Sequence, residues 1–201
     1  HTKIVKDYSK NKSDLDTYYF VGKMLSEAGK HYGEGIVREY SIKLKNDLNK
    51  NYSQSTLKRM RQFYWIIEKG APLVHQLTWS HYQELLIIKN VDIIKYYINQ
   101  IIQNNLSKRQ LRERIKLKEY ERLSEKAKSK IKNKENIDLK DSIKNSIIIR
   151  NFNNYEVVSE RILQKLILED IESFMNELGN NFCFIGSEYK IKLGDRYNYI
   201  D

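Results

Sequence analysis

The chain has 201 residues, of which 40% are hydrophobic and 31% charged, with a formal net charge of +10. That length holds one large or two small domains, and no apolar run reaches the roughly 18 residues that would span a bilayer. A single cysteine, Cys183, excludes an internal disulfide and fits a cytoplasmic setting.

The charge is unevenly spread. Residues 1–150 carry 31 Lys and Arg against 17 Asp and Glu, a net of +14, while residues 151–201 carry 5 against 9, a net of −4. A basic block followed by an acidic one suggests two modules with different tasks. A basic helical module most often meets a polyanion, because neutralising phosphates releases their counterions. A Lys- and Asn-rich composition also produces a merely solvated surface, so charge alone leaves both readings open.

In chain order, residues 14–28 place Tyr18, Val21, Leu25 and Ala28 at helical spacing. Gly29, Gly33 and Gly35 then predict a break. Helical spacing resumes over 36–50 through Ile36, Tyr40, Leu44 and Leu48, and again over 55–69 through Leu57, Met60, Tyr64 and Ile67, with Ser53 as N-cap. The only proline, Pro72, marks a loop at 70–77. Thr78 or Ser80 caps a helix through about Lys89 that buries Tyr82, Leu85 and Leu86, and Asp92 caps the next, 93–104. Ser107 opens another helix, with Gln110 three residues on as in a capping box. Residues 124–146, rich in Lys, Ser, Asn and Glu, read as a frayed helix end and linker. Residues 157–178 predict one amphipathic helix capped by Ser159 and closed by Gly179. Strands are expected at 182–186, 188–193 and 196–201, with Cys183 as a small core residue.

Two surfaces are candidates for nucleic acid. The short break at 51–54 between two helices has helix-turn-helix geometry. On its second helix Lys58, Arg59, Arg61 and Gln62 point away from the apolar stripe; Arg and Gln can read base edges while Lys suits phosphates. The second surface is Lys108, Arg109, Arg112, Arg114, Lys116 and Lys118, with Glu113 the only acid among them. A solvated bundle face explains either stripe as well. Trp79 is expected as a core anchor, and Tyr96, Tyr97 and Trp65 would allow a bundle that binds a protein partner or itself as a homodimer. Glu169 and Glu172, three apart with Asp170 beside them, are followed two strands later by Asp201. A helix acid and a strand-end Asp could share one Mg²⁺, which takes hard oxygen ligands and acidifies bound water. From spacing alone this signal is weak, because acids on a helix usually just face solvent.

The segments YYFVGKML, YSQSTLKRMRQFY, LTWSHYQELL and NNLSKRQLRERI, in that order, resemble the N-terminal domain of YhcG-type proteins. The tail VSERILQKLILEDIESFMNELGNNFCFIGSEYKIKLGDRYNYID resembles the start of their PD-(D/E)XK nuclease domain. The resemblance implies a mainly α protein. A basic helical DNA-binding bundle with a helix-turn-helix-like element would occupy 1–123, and a charged linker or helix extension 124–150. The first part of an α/β nuclease domain, one helix and two to three strands, would occupy 151–201. It implies a Mg²⁺-dependent DNA endonuclease whose metal is held by a helix carboxylate, a strand Asp and an E-x-K on the next strand. Asp201 matches the strand Asp, and Glu169, or else Glu172, matches the helix acid. The E-x-K of the strand that follows Asp201 would lie beyond residue 201, so this stretch by itself is expected to be inactive and not to bind Mg²⁺. The alternative is a non-catalytic DNA-binding regulator or an interaction module of a defence system.

Overall fold

The helical periodicity of the first 130 residues is realised almost throughout. The computed structural model describes residues 2–32, 35–48, 52–133, 135, 143–179, 182–187, 189–194 and 196–200. The chain divides into two compact units, residues 1–118 and 119–201.

The first unit contains α1 (Thr2–Tyr32), α2 (Ile36–Leu48), α3 (Gln54–Glu68), α4 (Trp79–Leu85), α5 (Val91–Asn104) and α6 (Lys108–Lys116). The first helix is longer than its apolar stripe predicts. No Pro or Gly occurs before Gly22, so nothing stops the helix upstream of Asp14. Gly29 lies inside the helix rather than breaking it, at a cost of about 1 kcal/mol relative to Ala; of the other two predicted breakers, Gly33 lies outside the described residues and Gly35 sits in the turn before α2.

The main packing joins α1 to α3. Leu25, Ile36, Val37, Leu57 and Met60 form a buried cluster, with Tyr18, Val21, Tyr40, Leu44 and Trp79 packed against it. Gly22 makes the close approach possible: a Cβ there would lie 2.1 Å from the Met60 carbonyl oxygen, closer than any side chain tolerates. The buried residues of α3 are Leu57, Met60 and Phe63; Tyr64, expected inward, is half-buried because it leans on Tyr19, ring centroids 5.3 Å apart. Trp79 is a core anchor as expected, 4.7 Å from Tyr18 and 5.4 Å edge-on from Phe63.

The proline loop is held from beneath by Tyr82. Its hydroxyl accepts from the Val74 N–H at 2.7 Å and donates to the Pro72 carbonyl at 3.0 Å, and burial pushes the phenol up to about 12. Ser53 caps α3 by accepting from the Thr56 N–H at 3.1 Å. At α6 the capping box is complete: Gln110 N–H donates to Ser107 Oγ at 3.3 Å and Ser107 N–H to Gln110 Oε1 at 2.9 Å. The cap of α5 is Asn90, whose side chain accepts from the Asp92 N–H at 2.8 Å. Asp92 itself sits in the first turn, where a carboxylate offsets the positive helix end.

The second unit contains α7 (Glu125–Asn133), α8 (Glu160–Glu169), α9 (Ile171–Leu178), β1 (Tyr189–Leu193) and β2 (Arg196–Ile200). Part of the lysine-rich segment is thus helix, with Ala127 fully buried; residues 134 and 136–142 lie outside the described set. The helix predicted over 157–178 is two helices. Asp170 leaves helical geometry (φ −135°, ψ 55°) and caps α9 by accepting from the Ser173 N–H at 3.3 Å. An aspartate can replace the intrahelical bonds of a first turn with its own carboxylate, which is what favours a restart here.

Strands β1 and β2 form an antiparallel hairpin with Tyr189 opposite Ile200 and Leu193 opposite Arg196, turning at Gly194, whose φ of +65° suits glycine. The run at 182–186 forms no strand, and Cys183 is exposed, not buried. Among the described residues no strand pairs with that run, so its apolar side chains have no sheet face to enter.

Candidate nucleic-acid interface and nuclease segment

On α3, three of the four side chains expected to face solvent do so: Lys58, Arg59 and Gln62 are exposed. They follow from helix phase, since Leu57, Met60 and Phe63 turn inward against α1. Arg61 is half-buried, with its guanidinium carbon 5.1 Å from the centre of the Trp65 ring. It is engaged within the fold, which removes it from the simple picture of an outward base-reading arginine.

The stripe on α6 is also partly engaged. Arg112 grips Glu84 in a two-pronged contact, Nε to Oε2 at 2.9 Å and Nη2 to Oε1 at 2.7 Å, and Lys108 Nζ stands 3.5 Å from the same carboxylate. The Arg112 guanidinium hydrogen bond, aided by Lys108, holds the Glu84 carboxyl below the usual carboxylate range. Glu84 lies 28 residues upstream on another helix, so the linear run of cations gave no sign of it. Arg109 and Lys116 remain exposed. Tyr96 and Tyr97, candidates for a partner surface, are buried core residues, whereas Trp65 is exposed.

In the second unit, Glu169 ends α8. Its carboxylate accepts from Asn153 Nδ2 at 3.1 Å and lies 3.7 Å from Lys165 Nζ. Beside it is a shallow groove lined by Arg161, Gln164, Lys165 and Leu168. Glu172 is exposed in the first turn of α9, and Asp170 between them is 3.7 Å from Arg150. The other expected metal ligand, Asp201, lies outside the described residues. Among the described residues no three His, Cys, Asp or Glu side chains are grouped to hold a metal. Glu169, which lies 3.7 Å from Lys165 Nζ, would need the Asp201 carboxylate beside it to hold Mg²⁺.

The strongest electrostatic cluster of this unit went unnoticed in the sequence. Glu177, on the last turn of α9, is buried together with Lys144. Arg122 donates to both its carboxylate oxygens, one bond at 3.0 Å; Ile148 N–H donates at 3.2 Å, and Lys144 Nζ stands 3.7 Å away. Arg122 also donates to the Ser146 carbonyl and Lys144 to the Asn176 carbonyl, both at 2.7 Å. Burial would raise the Glu177 carboxyl, but the Arg122 hydrogen bond and the Lys144 charge outweigh it and hold it below the usual range. One signal was available: an acid in the last turn of a helix opposes the helix dipole and calls for a cationic partner.

Residues 2–122 match the family described as the DUF1016 N-terminal domain. The chain belongs to this YhcG-type family. Residues 140–201 match the YhcG PDDEXK nuclease domain. A similar protein is YhcG of Escherichia coli (strain K12), named as a candidate nuclease, 22% identical over 229 aligned positions. The match covers 92% of this chain and 61% of that protein, so the chain spans about three fifths of its relative's length. No solved structure matches. No described helix is long and apolar enough to cross a membrane.

Proposed function

We propose that this chain is the DNA-binding part of a metal-dependent DNA endonuclease of the PD-(D/E)XK class. In this reading residues 1–123 bind DNA through a helix-turn-helix-like arrangement of α2 and α3. Residues 124–150 connect this part to 151–201, the beginning of the catalytic domain, where Asp201 and Glu169 supply metal ligands and Mg²⁺ would polarise the phosphate and acidify a bound water.

One observation carries the reading: the exposed Lys58, Arg59 and Gln62 lie on a helix of the unit that holds the whole net charge. Residues 1–118 carry 22 Lys and Arg against 11 Asp and Glu, a net of +11, and residues 119–201 carry 14 against 15, a net of −1. Membership of a nuclease-bearing family supplies the polyanion that such a face would meet.

The test is the salt dependence of duplex binding, read by fluorescence anisotropy. Each phosphate contact contributes about 0.9 to the slope of log affinity against log salt, so Lys58→Ala with Arg59→Ala should flatten that slope by about 1 to 2. Absent or salt-insensitive binding would reject the reading. For the catalytic half, a protein continuing beyond residue 201 should cleave plasmid with Mg²⁺ and lose that activity on Asp201→Asn; equal cleavage by both rejects Asp201 as a ligand.

A further inference from the structure

The outward face of α3 carries more than cations. Lys58, Gln62 and Trp65, spaced at four and three residues, share one helical face, Lys69 follows four residues on as the C-cap of α3, and all four are exposed. Trp65 is the exception on such a face, an indole with 43% of its surface in solvent. It is also held in place. Its Nε1–H donates to Ser26 Oγ on α1 at 2.7 Å, and Arg61 lies 5.1 Å from the ring centre. The chain's other tryptophan, Trp79, is packed between Tyr18 and Phe63, so exposure at position 65 is not the general fate of tryptophan in this unit.

We propose that Trp65 is a stacking platform for an unpaired base, and that α3 therefore favours single-stranded DNA over duplex. A fixed, flat, partly exposed ring offers its face to a base at little cost in side-chain entropy, and every base has a π-face to present. Lys58 and Lys69, each four residues from the Gln62–Trp65 pair, are placed to meet the backbone phosphates that flank the stacked base. Gln62 offers both a donor and an acceptor to its edge. A protein partner fits less well. At three and four residues along the chain the indole's neighbours are Arg61, Gln62, Glu68 and Lys69 rather than apolar side chains, and the unit's net charge of +11 favours a polyanion.

The inference rests on the DNA-binding reading above, and the experiment separates the two. Wild type, Trp65→Ala and Trp65→Phe are titrated into labelled single-stranded oligothymidine, into single-stranded oligouridine RNA and into a DNA duplex, all of equal length and at fixed salt. Loss of one base stack should weaken single-strand binding by about 5- to 100-fold in Trp65→Ala, with duplex affinity changed less than about twofold. Trp65→Phe should retain most of the affinity. Oligothymidine should quench the wild-type indole emission, and the quench should vanish in Trp65→Phe. An equal loss on both DNAs in Trp65→Ala, or none on the single strand, overturns the platform while leaving DNA binding intact. A loss seen with single-stranded RNA alone overturns the choice of DNA. Failure of the wild type to bind either DNA at low salt overturns the underlying reading and this one with it.

Discussion

Glu177→Gln tests whether a buried charge cluster secures the second unit. The substitution keeps the shape of the side chain and an acceptor oxygen but removes its charge. Glu177, Arg122 and Lys144 have side chains only 8%, 11% and 4% exposed, so the two cations would be left with one polar amide between them. Removing one member of a buried pair costs about 3 to 5 kcal/mol, because the remaining charge is uncompensated; the retained acceptor places Gln towards the lower figure. A cost of about 3 kcal/mol corresponds to roughly 100-fold faster exchange of protected amides. The assay is hydrogen–deuterium exchange by mass spectrometry, read on peptides covering 143–150 and 171–178, the segments Glu177 ties together. The pH dependence gives a second readout. The Glu177 carboxyl is held below its ordinary 4.5 in the folded chain, so its contribution is complete above 4.5 and is lost as pH falls through the lower folded value. Wild-type protection of those peptides should decline in that window, and Glu177→Gln should not show that decline. Exchange in Glu177→Gln within about twofold of wild type would refute the argument, as would an identical acid dependence in both proteins.

Two further outcomes follow from single contacts. Gly22→Ala places a Cβ against the Met60 carbonyl and should destabilise the first unit by about 1 to 3 kcal/mol. This is measurable as a lower urea midpoint in tryptophan emission, since both tryptophans lie in that unit; an unchanged midpoint would mean the helices separate without penalty. Glu84→Gln should release Arg112 and Lys108 from their shared carboxylate. It should then strengthen DNA binding several-fold at low salt and steepen the salt slope by about 1 to 2; unchanged affinity would exclude α6 from the interface.

Features set by neighbouring residues were readable in the sequence. Ser53 and the Ser107–Gln110 pair cap their helices because the hydrogen bonds span only three residues, and the capping preference is a local property of the chain. The hairpin at 189–200 followed from two apolar runs around a glycine. Two local features were nevertheless missed: Asn90 rather than Asp92 caps α5, and the restart at Asp170, capped from Ser173 three residues on, was hidden by an apolar stripe that continues across it. The rest of what could not be read depended on partners distant in sequence. The close approach at Gly22 requires knowing that Met60 lies opposite. Glu177 meets groups 29 to 55 positions away, and without them it reads as one more solvated acid.

The same distinction governs the interface. A sequence shows how many cations a helix carries, but not how many are available. By count α6 is the richer helix, with five Lys or Arg in its nine residues. Two of its cations nevertheless converge on Glu84, so phosphate binding there must compete with a carboxylate already in place. The third helix has fewer, yet Lys58 and Arg59 are exposed, and Lys58 shares a helical face with the Trp65 ring. Paired cations deliver less counterion release per contact than exposed ones, because part of their charge is already neutralised within the fold. With Arg109 and Lys116 still exposed on α6, the less basic helix matches the richer one in cations outside the Glu84 cluster, and α6 would take its full share only once Glu84 loses its charge.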